Sequence, residues 1–380
     1  MKLKSGLVIG FISTSLLLTG CSSEQNAVSA KKSTAKNTPT TATTTTTAAA
    51  TTSTANVAIP KAVQKPLKLA AIMEFSTGTF SSQYIQGVKD QVQALGGSVQ
   101  VYNADNDLSK MASNLDTAIN QHVDGILIDH GRADALKDEV TRATKAGIPV
   151  VAFDDDLNLP GVTVIDQDDY SMAWSVLKTL GESLNAKGNI VYINTGGFTP
   201  LERRDVIYQA FKKRYPAIHE IAHFGTVNDD TALETQSQME AILKRFPKGK
   251  IDAVFAPYDE FAKGAAKAIQ QAGRTEIKVY GIDLSDEDLQ LIQDKSDPWV
   301  ATAATDPADI GKTQVRFLYQ KIAGENTPAV YSIEPHLVTR TDLPNQTINM
   351  SQLSKFIPGW TATTAATDPW MAALAKKGSK

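Results

Sequence analysis

The sequence has 380 residues, a formal net charge of −3 and 42% hydrophobic residues. It has no basic excess of the kind that binds nucleic acid, and its single cysteine, Cys21, excludes a disulfide, a cysteine-based metal site and thiol catalysis in the rest of the chain. After the first residues no apolar run of eighteen or more appears, so the sequence predicts no membrane-spanning helix.

The first twenty residues predict an export signal. Lys2 and Lys4 precede an apolar segment, Leu7 to Leu18, which is too short to span a bilayer. LTGC, residues 18–21, resembles the lipobox of bacterial lipoproteins, in which the cysteine becomes the first residue of the mature chain and carries the lipid. We therefore expect residues 1–20 to be removed and Cys21 to anchor the protein to the outer face of the cell membrane. The alternative is an ordinary signal peptide with an incidental cysteine.

Two further segments have little that could pack into a core. Residues 21–65 are rich in Thr, Ala and Ser and include TTATTTTTAAATTST, which predicts a flexible tether. Residues 350–380, with TATTAATDP, are similarly poor in large apolar residues, and we assign no function to this C-terminal tail.

Short apolar runs alternate with helical patterns in the rest of the chain. The runs are LKLAAIM (67–73), SVQVYN (98–103), DGILID (124–129), PVVAFD (149–154), NIVYIN (189–194), AVFAPY (253–258), IKVYGID (277–283) and VATAAT (300–305). Segments such as SSQYIQGVKDQVQAL and DALKDEVTRATKAG between them have apolar residues three and four apart. Because the runs are almost continuously apolar, they predict strands with helices on both faces, which is an α/β fold with parallel sheets.

A weak internal repeat indicates a second lobe. VDGILIDHGRADALKDEVTRATKAGIPVVAFDD and IDAVFAPYDEFAKGAAKAIQQAGRTEIKVYGID share the order strand, helix ending in Ala-Gly, strand, aspartate. Two such units far apart predict two similar doubly wound lobes. Asp154 and Asp283 then occupy equivalent strand ends.

The predicted strands end in polar side chains. Ligands of open parallel sheets bind beyond the carboxyl ends of the strands. The residues at those ends are Glu74, Asp129, Asp154, Asp155, Asn194, Tyr258, Asp283 and Thr305. Two lobes that face each other with such edges predict a cleft for a ligand with many hydroxyls, since carboxylates accept strong O–H hydrogen bonds.

Three consecutive carboxylates, Asp154, Asp155 and Asp156, follow the apolar run PVVAF. Repulsion between adjacent like charges requires something to offset it, and a ligand is one candidate. The alternative is that Asp155 and Asp156 are solvated turn residues and Asp154 alone binds.

Several motifs in this order resemble those of the sugar-binding lipoproteins of ABC importers, in the branch of class I periplasmic binding proteins that includes the ribose- and galactose-binding proteins. The motifs are TFSSQYIQGVKDQVQALGG, GIPVVAFDDD, LERRDVIYQAF, AVFAPYDEFAKGAAKAIQQAG, VYGID and ATAATDPADIG. The resemblance covers residues 66–345. It implies the type 1 fold, two lobes joined by a multi-strand hinge, with a sugar bound between them.

The resemblance also implies roles for particular residues. Phe80 matches an aromatic residue that stacks on the sugar, and Asp154, Arg203 and Asp283 match residues that bond its hydroxyls. Four positions depart from the ribose binders, which have Phe, Arg, Asn and Gln there. These are Ser81, Asp155, Tyr258 and Thr305. The departures argue against ribose itself as the ligand. If Asp154 and Asp155 both face the cleft, the site has an anion where the ribose binders have a cation, which favours a neutral polyol, an amino sugar or another cationic ligand.

Each of these residues has a competing structural explanation. Phe80 could pack as a helix staple, Arg203 could pair with Glu202 or Asp205 on the surface, and Asp283 could cap a helix. We keep as candidate ligand contacts Phe80, Asp154, Asp155, Arg203, Tyr258, Asp283 and Thr305, with weaker candidates Glu74 and Phe75.

HEIAH, His219 to His223, matches the HExxH signature of zinc peptidases, which requires a helix. Pro216 precedes it, Gly225 follows it, and a strand is due there, so a zinc hydrolase is the less favoured alternative. GKT, residues 311–313, lacks the first glycine of a phosphate-binding loop, because Asp306 stands in its place.

The sequence therefore predicts a monomeric receptor, without cofactor or metal and without enzymatic activity, that binds a monosaccharide or polyol and delivers it to an ABC permease with its ATPase subunit. The predicted lobes are residues 66–167 with 306–336, and residues 168–305 with 337–349. An alternative keeps the fold but makes the protein a sensor for an autoinducer-like or nucleoside ligand.

Overall fold

The structure is a computed structural model that describes residues 57–378. The predicted export signal, Cys21 and most of the predicted tether lie outside these residues. Within them, no helix is long and apolar enough to cross a membrane.

Strands and helices alternate along most of the described chain. The strands are β1 Lys68–Met73, β2 Ser98–Asn103, β3 Gly125–Asp129, β4 Val150–Phe153, β5 Thr163–Asp166, β6 Gly188–Ile193, β7 Ile218–Phe224, β8 Ala253–Ala256, β9 Lys278–Ile282, β10 Trp299–Ala304, β11 Val330–Ser332 and β12 His336–Thr339. The helices are α1 Gly78–Ala94, α2 Leu108–Asn120, α3 Ala133–Lys145, α4 Asp169–Ser183, α5 Thr199–Arg214, α6 Thr231–Arg245, α7 Asp259–Gln271, α8 Asp286–Gln293, α9 Pro307–Ala323 and α10 Pro369–Gly378.

The strands form two six-stranded sheets of matching order. The first sheet runs β11-β5-β4-β3-β1-β2 and the second runs β12-β10-β9-β8-β6-β7. All pairs are parallel except β10 with β12. The predicted α/β fold with two doubly wound parallel lobes is confirmed. The order also makes β4 equivalent to β9, so the two halves of the sequence repeat superpose in topology.

The central strands are apolar on both faces because helices cover both sides of each sheet. In β1, Leu69 and Ala71 belong to a core shared with α1 and α9, whereas Ala70 and Ile72 belong to a core shared with α2 and α3. The second sheet is divided in the same way between α4 and α5 on one face and α6, α7 and α8 on the other. This two-sided burial explains why the runs lack the alternation of a half-exposed strand.

The chain passes between the two sheets at three closely spaced places: after β5, after β10, and between β11 and β12. After β5 it enters α4, which packs on β9, β10 and β12, and after β10 it enters α9, which packs on α1, β3 and β4. These crossings form the hinge between the lobes.

The C-terminal segment differs from the sequence expectation, because it packs on both lobes. Residues 350–355 form a 3₁₀ helix, and Leu353, Ile357 and Trp360 are buried in a core of the second lobe. The chain then returns to the first lobe, where Trp370 and Leu374 of α10 are buried beside α9. A few large side chains in a Thr- and Ala-rich context are enough to hold the segment, and composition alone understates them.

Candidate ligand-binding site

A cavity lies between the lobes, at the carboxyl ends of both sets of strands. The lining residues are Phe75, Thr77, Phe80, Ser81, Tyr84, Asp129, His130, Asp154, Gln167, Phe198, Pro200, Leu201, Arg204, Val227, Tyr258, Asp259, Glu260 and Asp283. Both lobes therefore contribute to one site.

Asp154 and Asp283 end equivalent strands with the same backbone geometry. Each has a left-handed conformation, with φ of 49° and 73°, which aspartate tolerates better than most residues. The Asp154 N–H donates to Ile165 O at 2.9 Å, and the Asp283 N–H donates to Ala303 O at 2.9 Å. Because both residues line the cavity and adopt a sparsely populated conformation, the backbone is shaped here for a site.

Two adjacent arginines offset the buried carboxylates. The Arg204 guanidinium donates to both oxygens of Asp283, at 2.9 and 3.0 Å, and to Asp169 Oδ1 at 2.8 Å. Arg203 donates to Asp169 Oδ2 at 3.1 Å and lies 3.5 Å from Asp154 Oδ1. Burial, followed by the charge of Asp169, raises the pKa of Asp154 to about 7.

Gln167 joins the two lobes' aspartates through its amide. Its Nε2 donates to Asp154 Oδ2 at 3.1 Å and to Asp283 Oδ1 at 3.5 Å, while its Oε1 accepts from the Thr305 hydroxyl at 2.7 Å. Thr305 thus fixes the direction of the amide. Hydrogen-bond donors and acceptors therefore lie side by side in the cavity, which is the arrangement that a ligand with vicinal hydroxyls requires.

His130 adds a third cationic group to the cavity. Its Nδ1 lies 3.1 Å from Asp129 Oδ1. Burial lowers the pKa of His130, but Asp129, Asp154 and Glu74 together raise it to about 9. At neutral pH the protonated imidazole, together with Arg203 and Arg204, offsets part of the negative charge of the carboxylate-rich site.

The second and third carboxylates of the DDD run point elsewhere. Asp155 is fully buried but does not line the cavity, and burial followed by the charge of Asp156 raises its pKa to about 8. Asp156 is exposed, and its Oδ1 accepts from the Ala133 N–H at 2.7 Å, at the start of α3. The raised pKa favours the protonated form of Asp155, which relieves the repulsion in the run.

Hydrogen bonds across the rim hold the lobes together around the cavity. The Thr79 hydroxyl donates to Glu287 Oε2 at 2.8 Å, Gln83 Nε2 donates to Asp286 Oδ2 at 2.8 Å, and Arg132 Nη1 donates to Glu202 Oε1 at 3.2 Å. Asn106 Nδ2 donates to the Val227 carbonyl at 3.2 Å. These contacts describe a closed arrangement.

The structure brings together five of the nine sequence candidates in the cavity lining: Phe75, Phe80, Asp154, Tyr258 and Asp283. The other four lie outside the lining: Glu74, Asp155, Arg203 and Thr305. Glu74 accepts from the Gly131 N–H at 2.8 Å and so supports the loop that carries His130. Arg203 and Thr305 touch lining residues, so they are one contact removed.

Sequence reasoning did not select Arg204, His130, Gln167 or Phe198, which line the cavity. The arginine expected at the ligand was Arg203, but the neighbouring Arg204 lies in the lining. Neighbouring residues on a helix point about 100° apart, and the sequence does not fix which of the two faces the cavity. His130 could have been found as the residue that follows the strand-end Asp129.

The two motifs that resemble enzyme signatures, HEIAH and GKT, have structural roles. HEIAH lies in strand β7, as expected, and Glu220 accepts from the Tyr208 hydroxyl at 2.7 Å and from Lys212 at 3.0 Å. Gly311 of GKT lies inside α9, where a Cβ would meet Tyr84 O at 2.5 Å. No group of three or more metal-ligating side chains is found within residues 57–378.

The sequence profile of the periplasmic binding protein domain matches residues 69–326. Among characterised proteins, the xylitol-binding protein of Mycolicibacterium smegmatis is 29% identical over 257 residues, which are 66% of this chain and 71% of that protein.

Two solved structures are more similar in sequence to this chain than the xylitol-binding protein is. A sugar ABC transporter protein of Yersinia enterocolitica is 37% identical with a TM-score of 0.82, and the match covers 84% of this chain and 98% of that one. The 5-methylthioribose transporter solute-binding protein of Thermotoga lettingae, in complex with 5-methylthioribose, is 37% identical with a TM-score of 0.78, covering 82% and 99%.

Proposed function

Since the chain belongs to the periplasmic binding protein domain family, we propose that it captures a monosaccharide or polyol between its two lobes and delivers it to an ABC importer. The observation that carries the proposal is the network of Asp154, Gln167, Asp283 and Arg204 inside the interlobe cavity. It contains residues from both lobes, so a ligand that bonds to it joins them.

The charge balance of the cavity supports a neutral ligand. Arg204 and the protonated His130 face Asp129, Asp154 and Asp283, and Arg203 lies behind them. These aspartates already have cationic partners, which a cationic ligand would have to displace. A sugar or polyol instead exchanges its hydroxyl hydrogen bonds with water for bonds to charged groups, which are the stronger kind.

Relatives support the same ligand class. The relatives named above are described as binding xylitol and 5-methylthioribose, and as a sugar transporter protein. The binding function requires no bond chemistry, so the protein acts as a receptor and not as an enzyme. Ligand contacts to both lobes stabilise the closed form by their differential affinity, and the permease with its ATPase would recognise that form.

The remaining parts of the proposal concern placement in the cell. Residues 1–20 are an export signal, Cys21 carries the lipid, residues 21–65 are the tether, and the protein acts as a monomer outside the cell membrane. A Cys21→Ser variant would then move from the membrane fraction to the soluble fraction. Retention of that variant in the membrane would contradict the anchor while leaving the receptor function untouched.

Thermal unfolding of the purified chain tests the receptor function. The panel contains xylitol, ribose, 5-methylthioribose, glucose, adenosine and zinc chloride. A ligand at a thousand times its Kd adds about 4 kcal/mol to the free energy of unfolding, which raises the Tm of lobes this size by roughly 10 °C. We expect at least one sugar or polyol to do so.

A matched pair of variants locates the site. Asp154→Asn removes a charge from the lining, whereas Asp156→Asn changes an exposed residue of the same run. We expect Asp154→Asn to weaken binding about tenfold or more, in line with the loss of one charge-assisted hydrogen bond, and Asp156→Asn to leave Kd unchanged. A Tm that responds to zinc or adenosine, and to no sugar or polyol, would overturn the proposal.

A further inference from the structure

The lining of the cavity changes from polar to apolar from the hinge side of the two sheets toward their opposite edge. On the hinge side, the side chains that follow β4, β5 and β9 are Asp154, Gln167 and Asp283. In the middle, β3 ends at Asp129 and is followed by His130, and β8 is followed by Tyr258, Asp259 and Glu260. Charged and amide groups therefore occupy the hinge side and the middle.

The outer end of the cavity is mainly apolar. On the side away from the hinge, β1 in one lobe and β6 and β7 in the other are followed by Phe75, Phe198 and Val227, while the residues that follow the edge strand β2 do not line the cavity. The Phe75 and Phe198 rings meet across the cleft edge to face, with centroids 6.3 Å apart. Thr77 contributes one hydroxyl to this end, while the Val227 carbonyl already accepts from Asn106.

The first turns of two helices extend the apolar end. Phe80 of α1 and Leu201 of α5 line the cavity, and Leu201 is 3% exposed. Phe198, Leu201, Val227 and Tyr258 all pack on one core of the second lobe. Because this wall is anchored in a core, it is a fixed apolar surface.

We propose that the ligand is a sugar that carries an apolar substituent, with its hydroxyls at the hinge side and the substituent against Phe75, Phe198 and Val227. This inference rests on the proposed function and narrows its substrate class to deoxy, O-alkyl or thioether sugars. A hydroxyl at the outer end would lose its bonds to water and find few partners there. An alkyl or methylthio group would leave water without that cost.

Isothermal titration of the full chain tests the preference. The probes are ribose, xylitol, 5-deoxyribose, methyl riboside and 5-methylthioribose, which share a polar part and differ in the substituent. We expect at least one of the three substituted pentoses to bind about tenfold or more tightly than ribose and xylitol, because the apolar group leaves water on binding.

A matched pair of variants tests the position of the substituent. Val227→Thr adds a hydroxyl to the outer end with little change of shape, and Val206→Thr makes the same change at an exposed position of α5. We expect Val227→Thr to lower the ratio of affinities, substituted pentose over ribose, at least threefold. Val206→Thr should leave that ratio unchanged.

The outcomes separate the two proposals. Ribose or xylitol binding as tightly as every substituted pentose would overturn this inference and leave the sugar receptor standing. An unchanged ratio in Val227→Thr would also overturn it, since the substituent would then lie elsewhere. No binding by any sugar or polyol would overturn the proposed function itself.

Discussion

Arg204 contacts three separate segments of the second lobe at once. Its guanidinium bonds to Asp169 at the start of α4, to the Pro257 carbonyl after β8, and to both oxygens of Asp283 after β9. The side chain is buried, and its planar fork fits this bidentate arrangement in a way that lysine cannot. The residue therefore fixes the shape of the lobe's contribution to the cavity before any ligand arrives.

Replacing Arg204 with methionine should destabilise the protein strongly. The variant leaves Asp169 and Asp283 buried with one cationic partner fewer, which typically costs about 3–5 kcal/mol. Arg214→Met, at an exposed position in the last turn of the same helix, should cost less than about 0.5 kcal/mol. Urea unfolding measures both. Equal losses in the two variants would mean that the Arg204 network contributes no more than a surface arginine.

Asp155 should make stability depend on pH. Its pKa is raised to about 8 by burial, so the folded state holds this proton more tightly than the unfolded state does. The resulting stability is complete below the ordinary pKa of aspartate and is lost as the pH rises toward 8. Between pH 6 and 8 the wild type should lose on the order of 2 kcal/mol relative to Asp155→Asn.

Urea unfolding at several pH values measures this dependence. Asp229→Asn, at an exposed loop position, serves as the control and should follow the wild type at every pH. Parallel curves for Asp155→Asn and the wild type between pH 6 and 8 would show that Asp155 ionises normally.

Adjacent residues show where sequence reasoning reaches its limit at this scale. A resemblance to a family predicts that an arginine of LERRD approaches the ligand, yet Arg203 and Arg204 differ only by the rotation of one helix position. The second sheet decides between them, because Asp283 and the Pro257 carbonyl lie where only Arg204 can reach both. A local sequence motif does not predict contacts that depend on such long-range neighbours.

Among the elements, pairs of helices approach each other closely through glycines. A Cβ on Gly87 of α1 would lie 2.1 Å from Ala308 O of α9, and one on Gly264 of α7 would lie 2.3 Å from Ala232 O of α6. Each lobe thus has one helix pair in near backbone contact. The glycine of the GKT motif serves this packing as well.

Gly87→Ala should therefore destabilise the protein, although alanine favours a helix. The added methyl group meets a backbone carbonyl, which cannot move without shifting α9, and overpacking of this kind costs about 1–3 kcal/mol. Gly196→Ala, at a loop position with nothing within 4 Å of the new Cβ, should be close to neutral. Thermal unfolding compares the two. A stabilised Gly87→Ala would indicate that helix propensity outweighs the close approach.

Most strands were predictable because both of their faces are buried. The predicted run 124–129 contains β3 and one residue before it, and the run 253–258 contains β8 and two residues beyond it; every residue of both strands is buried. Strands β5 (TVID), β11 (VYS) and β12 (HLVT) were not predicted from their own residues, since they are short and mix polar with apolar residues, unlike the equally short β4 and β8. Their formation depends on pairing with β4, β5 and β10, which is tertiary information.

At the scale of the whole molecule, the C-terminal segment forms a fourth connection between the lobes. It leaves a core of the second lobe at Trp360 and reaches α9 of the first lobe, where Arg316 donates to the Thr363 and Ala365 carbonyls at 2.9 Å. Trp370 Nε1 then donates to Glu325 Oε1 at 2.7 Å. The segment is part of the folded body.

Trp370→Ala should accordingly cost about 3–5 kcal/mol, as large-to-small changes at buried aromatic residues do. Trp370 is 6% exposed, whereas Trp174 on α4 is 37% exposed. Trp174→Ala is therefore the matched control and should cost about 1 kcal/mol or less. Chemical unfolding distinguishes them. Similar small losses of stability in both variants would show that the C-terminal segment contributes little to the stability of the folded body.

Fold and family were predictable because many weak signals agree over 280 residues, and the match over residues 69–326 confirms that resemblance. The shape of the cavity was not, because it depends on how two lobes meet. The contact between Phe75 and Phe198 joins residues more than a hundred positions apart, and no local pattern predicts it.

The division of the first lobe along the chain has a consequence for the order of assembly. A chain synthesised from its N-terminus presents β1 to β5 long before α9, β11 and α10, which complete that lobe. The second lobe spans β6 to β10 without interruption and needs only β12 and residues 350–360 besides. Closing a long loop costs entropy before its contacts form. The first lobe is therefore the first to be synthesised and the last to be completed. Its strand β5 cannot pair with β11 until more than 160 further residues have been synthesised.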